Sequence, residues 1–275
     1  MGLDQATLAA ARATALQAAD AADAIALARF GRPLRVDTKP GGTPVTEADT
    51  AIERELGGLI GEAHPEHTTM GEEGGGGLAA DRPTWVIDPI DGTKNFLRGV
   101  PVFATLIALV AGGEAVVGVV SAPALGERTE GAAGLGVRRN GVDVAVSGVA
   151  DLADAHVSLG DIDRLQQPAR LWAGVSSLTA RAWHARAFGD FWSHGMVAAG
   201  SCDVAVEREI EVWDVAAPAC LVAEAGGRVT DLAGTPVLAS AAPAPNAVVA
   251  TNGLLHDAVL SELAQPLAPP RDAPA

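Results

Sequence analysis

Two aspartates, Asp88 and Asp91, have the type and spacing in this chain that most clearly suggest chemistry. They follow residues 85–87, one aromatic and two β-branched residues, a combination that favours a buried strand. Pro89 lacks a backbone N–H donor, so the hydrogen-bonded ladder of this strand is predicted to end near Asp88. The sequence therefore predicts a buried strand that delivers two carboxylates directly into a turn.

Two carboxylates confined to one buried turn need a compensating cation. At a separation of about 4 Å, two negative charges repel by about 4 kcal/mol at an effective dielectric constant of about 20. Carboxylate oxygens, together with a backbone carbonyl such as that of Ile90, suit hard Mg²⁺ or Mn²⁺ better than zinc. Gly92 and Thr93 resemble the start of a helix, whose free N–H groups attract phosphate. From these residues alone, a simple surface turn of the Asp-Pro-x-Asp-Gly type stays open.

The composition restricts the class of protein. Of the 275 residues, 48% are hydrophobic, which is enough for a large buried core in one or two domains. The formal charge of −15 argues against binding to nucleic acid or to an anionic membrane surface. Two cysteines provide no disulfide framework, and neither a signal-peptide pattern nor a long apolar run is present, so a cytoplasmic location is expected.

The pattern of elements changes near residue 147 and predicts two portions. Residues 1–147 are expected to form helices over 4–29 and 47–63 and then an antiparallel sheet that carries most of the metal ligands. Residues 148–265 alternate between strand and helix and are expected to form an α/β portion with the substrate-specificity residues. Its expected elements are strands at 155–159, 170–172 and 196–207, a helix around 176–187 and a helix from Asp214. The Pro-rich tail, residues 266–275, is expected to be disordered.

Four acidic clusters resemble the inositol monophosphatase family in their order and approximate spacing. They are 46–49 (Thr-Glu-Ala-Asp), 71–73 (Gly-Glu-Glu), 88–93 (Asp-Pro-Ile-Asp-Gly-Thr) and 213–217 (Trp-Asp-Val-Ala-Ala). The resemblance covers roughly residues 35–235. It implies a metal-dependent phosphomonoesterase of mixed α+β and α/β class, with a layered α-β-α-β-α fold and usually a homodimeric assembly. The implied cofactor is Mg²⁺, with Mn²⁺ as a possible substitute, and the implied nucleophile is water.

The resemblance also implies a role for each matching residue. The metal ligands would be Glu72, Asp88, Asp91, Asp214 and the carbonyl of Ile90; Asp49 and Thr93 match the pair that orients the attacking water, and Gly92 and Thr93 lie where phosphate would bind. Simpler interpretations stay open: Asp49 as part of a capping box with Thr46, Asp214 as the cap of a helix from Val215, and Thr93 as a turn residue. Lys39 matches a lysine often found in its loop, although a lone surface lysine is the simpler interpretation.

The segment 188–192 (Phe-Gly-Asp-Phe-Trp) is most similar to histidinol-phosphate phosphatases of the inositol monophosphatase type. This resemblance implies hydrolysis of L-histidinol phosphate in histidine biosynthesis. Asp190 and Glu207 are expected to pair with the cationic groups of that substrate and Trp192 to cover its ring, unless Trp192 is simply part of the core. The alternatives are an inositol-1-monophosphatase, another small sugar or nucleotide phosphate phosphatase, or an inactive regulatory homologue.

Overall fold

A computed structural model describes residues 3–39, 42–238 and 246–264. The tail predicted to be disordered, 266–275, lies outside these residues. Within the part described, no helix combines the length and the apolar character that crossing a membrane requires.

The first part of the chain contains helices, a short hairpin and seven further strands. In order these are α1 (Gln5–Arg29), β1 (Val36–Thr38), β2 (Pro44–Thr46), α2 (Glu47–Ala63), β3 (Thr68–Gly71), β4 (Thr84–Asp91), α3 (Thr93–Arg98), β5 (Ala104–Ala111), β6 (Glu114–Ala122), β7 (Glu127–Ala132), β8 (Val137–Arg139) and β9 (Val142–Val144). The strands β3 to β9 form one sheet in sequential order, and only the β3–β4 pair is parallel.

The second part mixes strands and helices more evenly. After a 3-10 helix (Leu152–Asp154) it contains β10 (His156–Leu159), α4 (Ile162–Leu165), α5 (Ala169–Arg181), β11 (His184–Arg186), α6 (Asp190–Ala198), β12 (Val204–Arg208), α7 (Val212–Glu224), β13 (Arg228–Thr230), β14 (Ala247–Thr251) and α8 (His256–Leu263). Its five strands form a mixed sheet in the order β11-β10-β12-β14-β13. The predicted boundary near residue 147 falls between β9 and the 3-10 helix, and the division into two domains stays a prediction.

The alternation of side chains along the strands builds the layers. Trp85 and Ile87 of β4 pack under α1 and α2, whereas Val86 faces α6 and α7 on the other side. In the second sheet, Ala205 of β12 faces α6 and α7, while its neighbours 204 and 206 pack against α5 and α8. Because successive strand residues point to opposite faces, the result is an α-β-α-β-α stack, as the resemblance implied.

Three element assignments in the second part were wrong. Residues 170–172 were predicted to form a strand but lie in α5, because positions 171, 175 and 178 form one buried helical stripe. Helix α5 ends at Arg181, and residues 184–186 of the predicted helix form the edge strand β11. The strand predicted over 196–207 is divided between the end of α6 and β12, because Gly200 turns the chain at a φ of 69°.

Candidate active site

Strand β4 carries its two aspartates to one place through an irregularity. It pairs with β5 up to Asp88 and pairs again at Asp91, with a register shift between the two. The ladder therefore does not end at Asp88, as was predicted, but continues across a bulge, where the Thr105 hydroxyl donates to the Pro89 carbonyl at 2.8 Å. Residues three apart on a regular strand face opposite sides, so the bulge is what allows both carboxylates to reach one site.

Asp214 joins this pair from the first turn of α7. Asp88, Asp91 and Asp214 each offer an oxygen, and these three oxygens lie within 4.8 Å of one another. Asp214 is not the N-cap residue of its helix but the N3 residue of its capping box. The cap is Glu211, whose backbone N–H donates to Asp214 Oδ2 at 2.9 Å, so α7 begins at Val212 rather than Val215.

The electrostatics of this cluster favour protonation when no cation is present. Burial raises the pKa of Asp88 well above its usual value, and nearby Glu72 raises it further. Burial likewise raises the pKa of Asp91, with Asp190 as the next cause, and raises the pKa of Asp214 to about 7. Oδ1 of Asp88 is buried and has no hydrogen-bond partner among the residues that the structure describes. A divalent cation would satisfy this oxygen and neutralise the cluster, so the residues present fit a metal ion.

Glu72 is held in the turn after β3. Its backbone N–H donates to the Ile87 carbonyl of β4 at 3.2 Å, and its Oε1 accepts from Lys39 Nζ at 2.7 Å. Lys39 also pairs with Glu73 at 2.7 Å, and its side chain is only 21% exposed. It is therefore not a lone surface lysine but part of the wall of the site.

Asp49 is fully buried at the start of α2, and the capping box with Thr46 is formed. The backbone N–H and the hydroxyl of Thr46 both donate to Asp49 Oδ2, at 2.8 and 2.6 Å. The other oxygen, Oδ1, is buried and meets no hydrogen-bond partner within the described part of the chain, and burial raises the pKa of this carboxyl group. The capping box with Thr46 thus uses Oδ2 of Asp49 and leaves Oδ1 available for another contact.

Thr93 and Gly92 form the beginning of the short helix α3. The Thr93 hydroxyl donates to the Ile90 carbonyl at 3.0 Å, so its turn-forming role is present in the structure. Gly92 has a φ of 85°, and a Cβ at this position would lie 2.9 Å from the Val102 carbonyl oxygen. Only glycine fits there, and its backbone conformation sets where the N–H groups at the start of α3 point.

These residues open into a cavity of about 790 Å³. Its wall contains Glu72, Asp88, Ile90, Asp91, Gly92, Thr93, Asp190, Glu207 and Asp214 of the predicted set, but neither Asp49 nor Trp192. Further acids, Asp161, Glu209 and Glu211, line it as well. The four cations that the described residues contribute to it are already paired: Lys39 with Glu72 at 2.7 Å, Lys94 with Asp161 at 3.8 Å, Arg164 with Asp161 at 3.2 Å and Arg208 with Glu209 at 2.6 Å. The wall therefore carries an excess of negative charge.

Asp190 and Glu207 lie together at this wall but differ in what they can bind. Glu207 accepts from the backbone N–H of Asp190 through one oxygen and contacts buried His194 Nε2 through the other, at 2.8 Å. Burial, followed by the charge of Glu207, raises the pKa of Asp190 to about 7. The N–H of Phe191 donates to Asp91 Oδ2 at 2.7 Å, so this turn is tied directly to the acidic cluster.

Trp192 packs away from the cavity. It lies against the core between the two sheets, with its ring centroid 5.0 Å from that of Phe188. Phe188 and Phe191 line the cavity wall on this side, and Trp192 does not. The core-packing interpretation of Trp192 is the one that the structure displays.

Comparison with known proteins identifies the family. A model of the inositol monophosphatase family matches residues 7–267. The chain belongs to the inositol monophosphatase family. It is 46% identical to a histidinol-phosphatase of Mycobacterium tuberculosis, covering 90% of this chain and 96% of that relative, and 45% identical to one of Streptomyces coelicolor, covering 90% and 94%. The solved inositol monophosphatase of Anabaena (Nostoc) shares 33% identity and a TM-score of 0.80, covering 96% and 98% of the two chains.

Proposed function

We propose that this protein is a Mg²⁺-dependent histidinol-phosphatase that converts L-histidinol phosphate into L-histidinol and phosphate in histidine biosynthesis. The observation that carries the proposal is the 46% identity to the Mycobacterium tuberculosis histidinol-phosphatase over nearly the full length of both chains. Oxygen ligands of the kind gathered here suit Mg²⁺, with Mn²⁺ as a substitute.

The ion would be held by carboxylates from three separate parts of the chain and by one carbonyl. The proposed ligands are Glu72, Asp88, Asp91, Asp214 and the carbonyl of Ile90. When bound, a divalent ion would stabilise charge on the phosphoryl oxygens and lower the pKa of water, which are the two needs of phosphate ester hydrolysis. The partnerless Oδ1 of Asp88 and the raised pKa values of the three aspartates support this ligand set.

The remaining residues would orient the reactants. Asp49 has one oxygen committed to the helix cap and one without a partner, so it can accept a proton or a hydrogen bond from the attacking water. Thr93 would hold the same water through its hydroxyl, and the N–H groups at Gly92 and Thr93 would bind phosphate. The short distance between Thr93 and the Ile90 carbonyl, 3.0 Å, keeps that hydroxyl beside the proposed ligands.

The charge of the cavity favours a substrate with a cationic end. Histidinol phosphate carries an amine and an imidazole besides its phosphate, and a cation next to Asp190 would favour the ionised carboxylate. Both oxygens of Glu207 are already engaged, so we propose that Asp190 contacts the substrate and that Glu207 holds Asp190 in position. An inositol ring has hydroxyl groups only and would leave this negative charge without a partner.

A substrate panel tests the assignment. Phosphate release from histidinol phosphate, inositol 1-phosphate and other small sugar and nucleotide phosphates is measured with Mg²⁺ and again with EDTA. We expect kcat/KM for histidinol phosphate to exceed that for inositol 1-phosphate by about tenfold or more, as expected when a buried charge loses its partner. Equal turnover of the two would support the inositol-1-monophosphatase alternative, and no metal-dependent turnover would support an inactive regulatory homologue.

We also propose a homodimer and a cytoplasmic location. The dimer follows from the family resemblance, and the location is supported by two cysteines that are both free and buried. Light scattering coupled to size-exclusion chromatography tests the assembly, because a monomer of 27.7 kDa and a dimer differ twofold in mass.

A further inference from the structure

A second glutamate of α2, Glu53, lies one helical turn after Asp49 and is used by none of the steps above. Residues four apart on a helix share a face, so Glu53 points in the same direction as Asp49. It is partly buried and does not line the cavity. Its carboxylate instead reaches the turn that follows β3 and carries Glu72.

Glu53 binds the backbone of that turn with both oxygens. The N–H of Glu73 donates to Oε2 at 2.8 Å, and the N–H of Gly74 donates to Oε1. The turn itself is closed by two hydrogen bonds of 3.0 Å between Gly71 and Gly75, and the carboxylate lies within its curve. Charge-assisted bonds from two successive N–H groups fix a carboxylate in a defined position.

The chain passes so close to this carboxylate that a side chain on the turn would displace it. A Cβ on Gly71 would overlap the Glu53 carboxyl group, and one on Gly74 would lie 2.6 Å from Oε1. Neither glycine has a positive φ, so the demand for glycine here comes from the position of the Glu53 carboxylate and not from backbone conformation. The position that Glu53 occupies thus depends on glycine at 71 and 74.

We propose that Glu53 is a positioning residue for the metal site: by clamping the turn 71–75 to α2, it sets where Glu72 stands relative to Asp49. Glu72 is then held on three sides, by Glu53 through the next peptide, by β4 through its own N–H, and by Lys39 through its side chain. The inference rests on the proposed function, since Glu72 is a metal ligand only under that proposal. Residues that orient ligands in this way alter metal affinity by about 10- to 100-fold when replaced.

Direct metal binding by the full-length protein tests the clamp. Mn²⁺ is titrated into wild type, Glu53→Gln and Glu53→Asp, and free Mn²⁺ is followed by electron paramagnetic resonance. Glutamine presents a donor to one of the two N–H groups, so we expect about tenfold weaker Mn²⁺ binding in Glu53→Gln. Aspartate keeps the charge but is shorter, so the Mn²⁺ affinity of Glu53→Asp should lie between those of wild type and Glu53→Gln. Glu55→Gln, an exposed neighbour on the same helix, controls for the loss of one negative charge.

A second route approaches the same contact from the turn. Gly74→Ala places a methyl group against Oε1 and should weaken Mn²⁺ binding, whereas adding Gly74→Ala to Glu53→Ala should cause little further loss, because the opposing carboxylate is gone. With saturating Mn²⁺, kcat of Glu53→Gln should stay within a few-fold of wild type while the activation constant for metal rises.

The outcomes separate this inference from the proposed function. A Glu53→Gln variant that folds and binds Mn²⁺ as tightly as wild type would overturn the clamp while leaving the phosphatase proposal standing. The same holds if its melting temperature falls with Mn²⁺ affinity unchanged, because Glu53 would then be a structural residue only. A wild-type protein that binds no Mn²⁺ would overturn the proposed function and the clamp together.

Discussion

Individual carboxylates in this site serve the fold with one oxygen and leave the other for the proposed chemistry. Asp49 gives Oδ2 to the cap of α2 and keeps Oδ1 free, and Asp214 gives Oδ2 to the Glu211 N–H while still offering an oxygen to the acidic cluster. Replacing either residue would therefore disturb a helix start as well as the site. Asp91 caps no helix, and the only hydrogen bond that its side chain makes within the described residues, from the Phe191 N–H, can also be accepted by an asparagine oxygen.

Asp91→Asn is accordingly the cleanest test of the metal site. The change keeps the shape of the side chain and removes one charge from the ligand set, so we expect turnover to fall by about 10³-fold, corresponding to about 4 kcal/mol of lost transition-state stabilisation. Without metal, the Asp91→Asn protein should melt no lower than wild type, because the substitution removes a carboxylate that other buried carboxylates repel. Phosphate release and thermal unfolding measure the two effects, with the exposed Asp143→Asn as control. Full activity in Asp91→Asn would contradict the proposed ligand role.

The sequence identifies the acids of the site but not the residues that support them. Asp88 and Asp91 are evident because strand, proline and carboxylates are adjacent in the chain. The pairings of Lys39 with Glu72 and of His194 with Glu207 are not, because the partners lie 33 and 13 residues apart and only the folded chain brings them together. Trp192 shows the opposite error: its type suits a ligand ring, but the direction of its side chain is set by α6 and the core.

At the scale of elements, the long periodic segments were predicted well, whereas of the short strands expected in the second part 155–159 is present and 170–172 is not. The helices α1 and α2 match the predicted ranges within one or two residues, since caps and apolar spacing are local signals. The β4 bulge depends on pairing with β5, which no local pattern contains. Residues 170–172 are too few to show a period, and they are recognised as helix only when position 171 is taken together with 175 and 178.

The contact between α5 and α8 offers a test in which two known effects oppose each other. Gly174 is buried in α5, and a Cβ there would lie 2.6 Å from both the Cα and the carbonyl oxygen of Leu263. Alanine is favoured over glycine within a helix by about 1 kcal/mol, but overpacking against a backbone costs about 1–3 kcal/mol. We expect the overlap to prevail in Gly174→Ala, with a net loss of about 1 kcal/mol.

The matched control is Gly58→Ala in α2. Gly58 is exposed and has no atom within 4 Å of an added Cβ, so the same substitution should stabilise the protein by about 0.5–1 kcal/mol. Urea unfolding of both variants gives the two free energies of unfolding. If Gly174→Ala proves as stabilising as Gly58→Ala, α5 and α8 do not pack as closely at Gly174 as the structure shows.

At the scale of the whole molecule, the acidic cluster joins parts that belong to different sheets. Asp88 and Asp91 stand on the seven-stranded sheet, whereas Asp214 stands on α7, which follows β12 of the five-stranded sheet and packs between the two. An ion bound to all three would connect both layers. In a chain with a formal charge of −15, the ion would also offset the repulsion among the carboxylates of this acidic cluster.

This arrangement predicts that pH acts in opposite directions on the metal-free protein and on its metal-bound form. Burial raises the pKa of Asp88 and Asp91 well above the usual range and the pKa of Asp214 to about 7. The folded state thus holds these protons more tightly than the unfolded chain, whose carboxyl groups have a pKa of about 4. The contribution of Asp214 to stability is complete below about pH 4 and is lost as the pH rises through about 7, and Asp88 and Asp91 lose theirs in the same direction, as the pH rises through their raised pKa values.

A divalent ion needs the deprotonated carboxylates, so protons compete with it and its stabilising effect should grow over the same interval. At a concentration of Mg²⁺ about 100 times its dissociation constant near pH 8, we expect about 2.7 kcal/mol of added stability, and much less at about pH 5, where the same Mg²⁺ concentration is far from saturating. Thermal unfolding with and without Mg²⁺ across this range measures the difference, and Asp91→Asn should show almost none. A Mg²⁺ effect as large at about pH 5 as at pH 8 would mean that the ion binds somewhere other than this buried cluster, because only groups that titrate in between can impose the dependence.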